Sequence, residues 1–140
     1  MISPNVNIYT IIVTYNGMRW VDACFGSLRG STVPLHTVVV DNGSTDGSLA
    51  LLARDFPLVQ VVRLDRNYGF AEGYNRALAQ VEAEYFVLLN SDVATPAGWL
   101  EPLIETLERN PDVAVAAPKL LSVAEPDRFE YAGASGGFID

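Results

Sequence analysis

Two polar clusters contain the residue types best suited to binding chemistry, and each follows an apolar run. Asp41 ends the stretch "TVVVD", whereas Asn90, Ser91 and Asp92 follow "YFVLL". An ionised carboxylate only accepts hydrogen bonds, so Asp41 suits a ring N–H donor such as the imide of uracil or thymine. The alternative is that Asp41 caps the turn that follows it. The local sequence does not decide between these two interpretations.

The second cluster offers one carboxylate, from Asp92, together with the neutral oxygens of Asn90 and Ser91. A divalent cation that bridges a diphosphate takes oxygen ligands and usually needs only one or two protein carboxylates. The cluster therefore fits a divalent-cation site. The competing interpretation is a polar turn that leads into the next helix.

A third segment, "RNYGFAEGYNRAL", places Gly69 and Gly73 around the predicted start of a helix. Glycine lets a backbone approach a ligand closely, and a helix N-terminus attracts phosphate. The alternative is that these glycines allow a helix to pack closely on a strand. The sequence has neither G-x-G-x-x-G after its first strand nor G-x-x-x-x-G-K-[ST], which argues against a dinucleotide fingerprint and a P-loop.

The elements that must position these clusters alternate between strand and helix. Apolar, mostly β-branched runs predict strands at Ile8–Val13, Thr37–Val40, Val59–Arg63, Tyr85–Leu89 and Val113–Ala116. Apolar residues at helical spacing predict helices at Met18–Leu28, Ser48–Arg54, Ala71–Val81 and from Thr95-Pro96 to about Arg109. This order predicts an α/β fold with a mostly parallel sheet and helices on both faces. Ligands of such sheets bind beyond the carboxyl ends of the strands, where the polar clusters fall.

The composition restricts the class of protein. The 140 residues predict a single domain over 1–140, with a net charge of −8 and a sequence pI near 4.5. An acidic surface argues against nucleic acid or anionic lipid as partners. Cys24 is the only cysteine, and the sequence has no signal-peptide pattern and no apolar stretch of the ~20 residues that span a bilayer. We therefore expect a cytoplasmic protein.

Four motifs occur in a specific order and spacing: "VTYNG", "VVVDNGSTDGS", "RNYGFAEGYNRAL" and "FVLLNSDV". As an ordered set they resemble the family 2 glycosyltransferases, over residues 8 to about 120. The resemblance implies the GT-A fold, a Rossmann-like fold of nucleotide-diphospho-sugar transferases. The form N-x-G-F-A-x-G-x-N is similar to the rhamnosyltransferase-like branch.

This resemblance implies an activity and its partners. The enzyme would transfer a sugar, with inversion, from a UDP- or dTDP-linked donor to a cell-surface polysaccharide or glycolipid. The acceptor would be a saccharide or a lipid-linked molecule, which would bring the protein to the inner face of the membrane. The cofactor would be Mg²⁺ or Mn²⁺.

The resemblance also implies roles for individual residues. Asp41 would accept a hydrogen bond from the base, and Ser91 would lie near the ribose. The residues that would edge the base pocket are Thr14, Tyr15 and Asn16. Those that would shape the donor side of the crevice are Asn67, Gly69, Gly73 and Asn75. Those that would hold the metal ion are Asp92 and Asn90.

Two positions depart from the family pattern. Asn90 replaces the first Asp of the D-x-D motif, so its amide brings an oxygen but no charge, and weaker metal binding is expected. Tyr74 stands where many relatives carry an arginine. Arg66 or Arg76 remains to neutralise the phosphate charge.

The catalytic base of the family lies well downstream of D-x-D, so we expect it, with the acceptor-binding segment, beyond Asp140. The 140 residues would then be an incomplete domain that is inactive alone. Uncovered apolar surface would favour a homo-oligomer with residues 129–138 at or near the contact. Two alternatives remain, a non-catalytic nucleotide-sugar-binding module and, with less support, a nucleotidyltransferase.

Overall fold

The computed structural model of the protein describes residues 6–131. The chain divides into two compact units, one that extends to Trp99 and one that begins at Leu100. The single domain over 1–140 stays a prediction. Of the predicted contact stretch 129–138, residues 132–138 lie outside the described residues, and the expected base beyond Asp140 lies outside the chain.

The first unit contains a four-stranded parallel sheet. Its strands are β1 (Ile8–Thr14), β2 (His36–Asp41), β3 (Gln60–Arg63) and β4 (Tyr85–Asn90), in the spatial order β3-β2-β1-β4. The helices that alternate with these strands are α1 (Met18–Arg29), α2 (Ser48–Asp55) and α3 (Phe70–Leu78). All three strand pairs are parallel. The predicted α/β fold with a mostly parallel sheet is confirmed.

Both faces of the central strands are buried, which explains their continuous apolar runs. On one face, α1 and α2 pack on a cluster that includes Ile12, Val39 and Leu89. On the other face, α3 packs Tyr74 and Ala77 against residues that alternate with the first set along the strands. Full burial of one aliphatic side chain stabilises a fold by about 1.5–3 kcal/mol. These two layers therefore fix the strand ends in space.

The second unit contains α4 (Glu101–Arg109) and a two-stranded antiparallel ribbon of β5 (Leu120–Leu121) and β6 (Phe129–Tyr131). An i,i+4 pair of Glu105 and Arg109 lies on α4. Across residues 6–131, no helix is both long enough and apolar enough to cross a bilayer.

Two predicted elements are wrong. Thr95 does not begin a helix, because its N–H donates to Ser27 Oγ at 3.0 Å and its hydroxyl lies 3.3 Å from the same atom. The helix begins instead at Glu101. The stretch 113–116 is not a strand, and Val115 is 81% exposed, so its apolar character does not reflect burial in a sheet.

Candidate functional site

The ends of three strands bring the predicted polar clusters to one end of the sheet. The register pairs Thr14 with Asp41 on one side of β1 and Val13 with Asn90 on the other. Asp92 follows two residues after β4 ends. Because parallel strands point the same way, residues from all three motifs meet at this end, as the sequence predicts.

The loop after β1 also approaches the second cluster. A Cβ atom built on Gly17 would lie 2.3 Å from Thr14 Oγ1 and 3.8 Å from Ser91 Oγ. Thr14 and Ser91 therefore flank the same glycine, and no larger residue fits there without displacing Thr14. Tyr15, in the same loop, is 50% exposed, so its ring is accessible to a ligand. Sequence reasoning missed the role of Gly17, which only the tertiary contact reveals.

Asn16 joins the loop after β1 to the loop after β2. Its φ of 50° lies in the left-handed region, which Asn tolerates better than most residues. Its N–H donates to Ser44 Oγ at 2.9 Å, and its Oδ1 accepts from the N–H groups of Thr45 at 2.8 Å and Asp46 at 3.3 Å. The side-chain oxygen of Asn16 is therefore engaged within the protein, where it holds the two loops together.

Asp46 serves both helices that start at this end of the sheet. Its Oδ2 accepts from the N–H of Met18, the first residue of α1, at 3.1 Å. Its Oδ1 accepts from the N–H of Ser48, the first residue of α2, at 2.9 Å and also from the Ser48 hydroxyl. Desolvation is the largest influence and raises the pKa of Asp46, but these hydrogen bonds outweigh it and hold that pKa below its usual value.

Asp41 is fully buried in the structure. Its two carboxylate oxygens both lie 3.2 Å from the Ser44 nitrogen, so the carboxylate caps the turn that follows β2. One long, shared N–H does not fill the acceptor capacity of a carboxylate, which can take several donors. A base ring N–H would reach Asp41 only if the residues that cover it moved.

Asn42 is a second residue that sequence reasoning left without a role. It is 2% exposed, and its Nδ2 donates to the Gly69 carbonyl at 2.9 Å while its Oδ1 accepts from the Tyr68 N–H at 3.3 Å. Asn67 Oδ1 accepts from the Gly69 N–H at 2.8 Å. Gly69 has a φ of 81°, which favours glycine at this turn. Asn67 and Gly69 thus shape the turn before α3, and Asn42 fixes that turn to β2.

Gly73 lies where α3 crosses β1. A Cβ atom there would lie 2.9 Å from Val13 Cγ1 and 3.3 Å from Asn42 Nδ2. Gly73 therefore allows α3 to pack closely on β1, which is the second of the two interpretations that the sequence left open for this glycine. Asn75, two residues later on α3, is exposed.

The predicted metal ligands are accessible and sparse. Asn90 and Asp92 are both exposed, and a turn after β4 is closed by the Val93 N–H, which donates to the Asn90 carbonyl at 3.3 Å. Residues 6–131 contain no group of three or more His, Cys, Asp or Glu placed to hold a metal. Burial, and secondarily the charge of Asp92, raise the pKa of Cys24 to about 12, so this thiol stays protonated. One carboxylate and one amide fit a hard cation only when a ligand such as a diphosphate completes its shell.

Two hollows lie at opposite ends of the sheet. A cleft of about 510 Å³ lies between the loop after β2 and the end of β3, lined by Gly43, Ser44, Thr45, Arg63, Leu64 and Asp65. A larger cavity of about 760 Å³ is lined by residues at the amino ends of the strands, including Tyr9, His36 and Gln60. Of the two, the smaller cleft adjoins the polar loop that follows Asp41, so the larger volume of the other cavity does not make it the candidate site.

Comparison with known proteins identifies the family. The family model described as "Glycosyl transferase family 2" matches residues 9–131. The chain belongs to this family. The N-acetylglucosaminyl-diphospho-decaprenol L-rhamnosyltransferase of Mycobacterium tuberculosis is 25% identical over 136 residues, which cover 89% of this chain.

Solved structures of glycosyltransferases are similar to this chain in fold. TarS of S. aureus, in complex with UDP-GlcNAc, has a TM-score of 0.67 and 26% identity over 74% of this chain. The mannosyltransferase PcManGT from Pyrobaculum calidifontis, in complex with GDP-Man and Mn²⁺, has a TM-score of 0.61 and 27% identity over 70% of this chain. These neighbours confirm the GT-A fold of this family 2 chain. The match spans only 43% of the rhamnosyltransferase, 32% of the TarS chain and 34% of PcManGT.

Proposed function

We propose that the protein binds a nucleotide-diphosphate sugar at the carboxyl ends of β1, β2 and β4 and acts in the transfer of that sugar. The observation that carries this proposal is the strand register, which brings Thr14, Asp41 and Asn90 to the same end of the sheet in a chain of family 2. UDP-GlcNAc bound to TarS supports a uridine donor, and a UDP- or dTDP-linked sugar is the proposed class. GDP-Man bound to PcManGT is the reason to test guanine as well.

The proposed acceptor is a cell-surface polysaccharide or glycolipid, reached by a cytoplasmic protein at the inner face of the membrane. The diphospho-decaprenol acceptor in the rhamnosyltransferase's name supports a lipid-linked molecule. In the complete reaction, the acceptor hydroxyl oxygen attacks the anomeric carbon and the bond to the nucleoside diphosphate breaks, with inversion. A carboxylate takes the hydroxyl proton. In this proposal that base belongs to the part of the relatives that the chain does not span.

Within the described residues, the chain's own contribution is binding and orientation. Thr14, Tyr15 and Asn16 border the base, and Ser91 lies on the ribose side. Asp92 and Asn90 would hold Mg²⁺ or Mn²⁺, which neutralises diphosphate charge when bound. The Mn²⁺ in the PcManGT complex supports such an ion.

Ligand-dependent melting tests the proposal. A ligand that binds only the folded state stabilises it by RT ln(1 + [L]/Kd), or about 2.7 kcal/mol at one hundred times Kd. We expect UDP or dTDP with Mn²⁺ to raise the Tm more than AMP or NAD does. Asp92→Ala should remove most of the Mn²⁺-dependent part, because it removes the only carboxylate of the cluster.

The matched control is Asp112→Ala, which removes an equal charge at an exposed position outside the cluster. It should leave the Mn²⁺-dependent rise in Tm unchanged. Equal responses to all nucleotides, or equal losses in both variants, would contradict the proposal.

A non-catalytic nucleotide-sugar-binding module is the second candidate. It is favoured by Asn90, whose neutral amide leaves the cluster with a single carboxylate. An assay of the longest protein that the reading frame encodes distinguishes the two candidates. Release of UDP or dTDP from its sugar-linked form, dependent on an added lipid-linked acceptor, favours the transferase, whereas binding without release favours the module.

A further inference from the structure

Tyr74 lies on the buried face of α3, and its hydroxyl reaches the end of β4. Tyr74 is 4% exposed, and its hydroxyl donates to the Leu89 carbonyl at 2.8 Å. Leu89 directly precedes Asn90, where β4 ends and the predicted metal-binding cluster begins. A side chain of α3 therefore holds the backbone just before the two residues, Asn90 and Asp92, that are proposed to hold the metal ion.

The same hydroxyl also contacts β1. Burial raises the pKa of Tyr74 to about 12, and a hydrogen bond with the Val13 backbone opposes part of this rise. The phenol therefore stays protonated at neutral pH, so it can donate to Leu89 while it accepts from Val13. The register pairs Val13 with Asn90, so the hydroxyl lies where the ends of β1 and β4 run side by side. Tyr74 thus adds a bridge between these two strand ends.

The end of β4 needs such support because it lies at an edge of the sheet. Within the described part of the chain, β4 pairs with β1 alone. The Asn90 carbonyl accepts from the Val93 N–H at 3.3 Å and lies 3.9 Å from Cys24 Sγ. A bond of 3.3 Å is long and a thiol is a weak donor, so the bond from the Tyr74 hydroxyl is the best formed of these three.

The packing of α3 fixes the position of the Tyr74 side chain. The helix begins at Phe70, directly after the turn that Asn42 joins to β2. The rings of Phe70 and Tyr74 meet edge to face, with their centroids 4.7 Å apart. Gly73 lets α3 lie against β1, because a Cβ atom there would be 2.9 Å from Val13 Cγ1. The depth at which the Tyr74 hydroxyl enters between the two strands is therefore set by contacts on both sides of it.

We propose that Tyr74 is a positioning residue of the candidate site, whose hydroxyl holds the end of β4 so that Asn90 and Asp92 are placed to bind a metal ion together with its diphosphate. This inference rests on the proposed function. A site with one carboxylate gains little from charge, so its affinity depends on how much ordering remains when the ligand binds. A fixed backbone before Asn90 reduces that ordering. Tyr74 does not touch the ligand, because its side chain is buried and its hydroxyl is engaged.

Calorimetric titration of the 140-residue chain with UDP and with dTDP, in the presence and absence of Mn²⁺, tests this assignment. The ratio of the affinities with and without Mn²⁺ measures the metal-dependent part of binding. Tyr74→Phe removes the hydroxyl and keeps the ring, and we expect it to lower this ratio about 3- to 10-fold, the range that one lost hydrogen bond allows. Binding without Mn²⁺ should not change, since the loops at the ends of β1 and β2 keep their own hydrogen bonds.

Two control variants separate positioning from a general loss of stability. Tyr68→Phe removes the same hydroxyl from a tyrosine in the turn before α3, where it donates to Asp65 Oδ1 at 2.8 Å. Phe56→Leu removes part of a buried ring at the amino ends of the strands and should lower stability. Both variants should keep the wild-type Mn²⁺ ratio. A fall with Phe56→Leu as large as with Tyr74→Phe would overturn the inference.

A measurement on the wild type decides the question even if Tyr74→Phe does not fold. In protein labelled with ¹³C-tyrosine, the NMR signal of the Tyr74 ζ-carbon is sensitive to the hydrogen bonds of its hydroxyl. We expect Mg²⁺, added to the UDP complex, to shift this signal, whereas the signal of Tyr9, at the other end of the sheet, should stay in place. An unchanged Tyr74 signal would overturn the inference.

The titrations also separate this inference from the proposed function. If the wild type binds UDP or dTDP with the help of Mn²⁺ and Tyr74→Phe keeps the full ratio, the inference is overturned while the proposed function stands. If the wild type binds nucleotide without any effect of Mn²⁺, the inference is again overturned, whereas nucleotide binding stands. If the wild type binds neither nucleotide, the proposed function fails and the inference fails with it.

Discussion

The base side and the metal side of the candidate site are built differently. The base side comprises the loops at 15–17 and 42–47 and the turn at 67–69, which are joined by side-chain hydrogen bonds from Asn16, Asn42 and Asp46. The metal side comprises residues 90–92, where Asn90 and Asp92 are exposed. The loops of the base side are joined to one another before any ligand binds, even though residues that cover Asp41 must move for a base to reach it, whereas the metal side leaves its oxygens in water.

This difference has a physical reason. A pocket for a neutral ring gains affinity when its shape is fixed in advance, because little ordering remains to be done on binding. A site for a hard cation with only one carboxylate needs oxygens from its ligand, so a preformed protein cage is not required. Mutations on the base side should therefore change stability, whereas mutations on the metal side should change binding alone.

The largest expected loss of stability comes from a substitution on the base side, at Asn42. Asn42→Ala leaves the Tyr68 N–H and the Gly69 carbonyl without their side-chain partner. Both hydrogen bonds are partly buried, and a typical hydrogen bond contributes about 0.5–1.5 kcal/mol, so we expect a loss of about 1–3 kcal/mol in the free energy of unfolding, measured by urea denaturation. Asn75→Ala is the matched control, since Asn75 is exposed on α3, and should change the free energy by less than about 0.5 kcal/mol. Equal losses would show that Asn42 does not hold the turn.

A smaller effect is expected at Asp46. Asp46→Ala removes acceptors from the first turns of α1 and α2, and loss of such a capping side chain typically costs about 1 kcal/mol. Because the folded pKa of Asp46 lies below its unfolded value of 3.8, its contribution is complete above pH 3.8 and is lost as the pH falls through the folded pKa. The difference between wild type and variant should therefore shrink below pH 3.8, as urea denaturation at several pH values would detect. A difference that is constant from pH 7 to pH 2 would rule out a role for the carboxylate charge.

The smallest expected effect is on the metal side. Asp92→Ala should change the free energy of unfolding by less than about 0.5 kcal/mol, since Asp92 is exposed. Cys24 should remain slow to alkylate with iodoacetamide at pH 8, because burial and not Asp92 is the main cause of its high pKa. Rapid alkylation in the folded variant would mean that Asp92 also supports the packing of α1, and the contrast between the two sides would fail.

The strands and their ends were predictable because a strand buried on both faces leaves a continuous apolar run. Thr37–Val40 and Tyr85–Leu89 each fall one residue short of the observed strand end. The start of α4 was not predictable, because Thr95 bonds to Ser27, which is 68 residues away. The apolar stretch at 113–116 was wrongly predicted as a strand because its apolar character does not reflect burial, since residues 113–115 are exposed.

The polar clusters of the candidate site were predictable in position but not in detail. Asp41 and Asp92 stand out because a carboxylate at the end of an apolar strand is unusual. The contact of Asp46 with Ser48 is local, and the sequence offers Asp46 as a candidate cap of α2, whereas the role of Asn42 and the bond of Asp46 to Met18 depend on contacts between loops that are adjacent only after the parallel strands are in register. No local pattern contains that information, and without it Asn42 looks like an ordinary turn residue.

Asp46 accepts hydrogen bonds from the first residues of both α1 and α2 and so couples the loop after β1 to the loop after β2. A ligand that moves Ser44 to reach Asp41 also pulls on Asn16, whose N–H holds the Ser44 hydroxyl. Asn16 immediately precedes the first turn of α1, where the Trp20 N–H donates to the Gly17 carbonyl and Trp20 is 38% exposed. Trp20 is therefore an intrinsic fluorophore close to the base side, and we expect its fluorescence emission to shift when a ligand occupies the site.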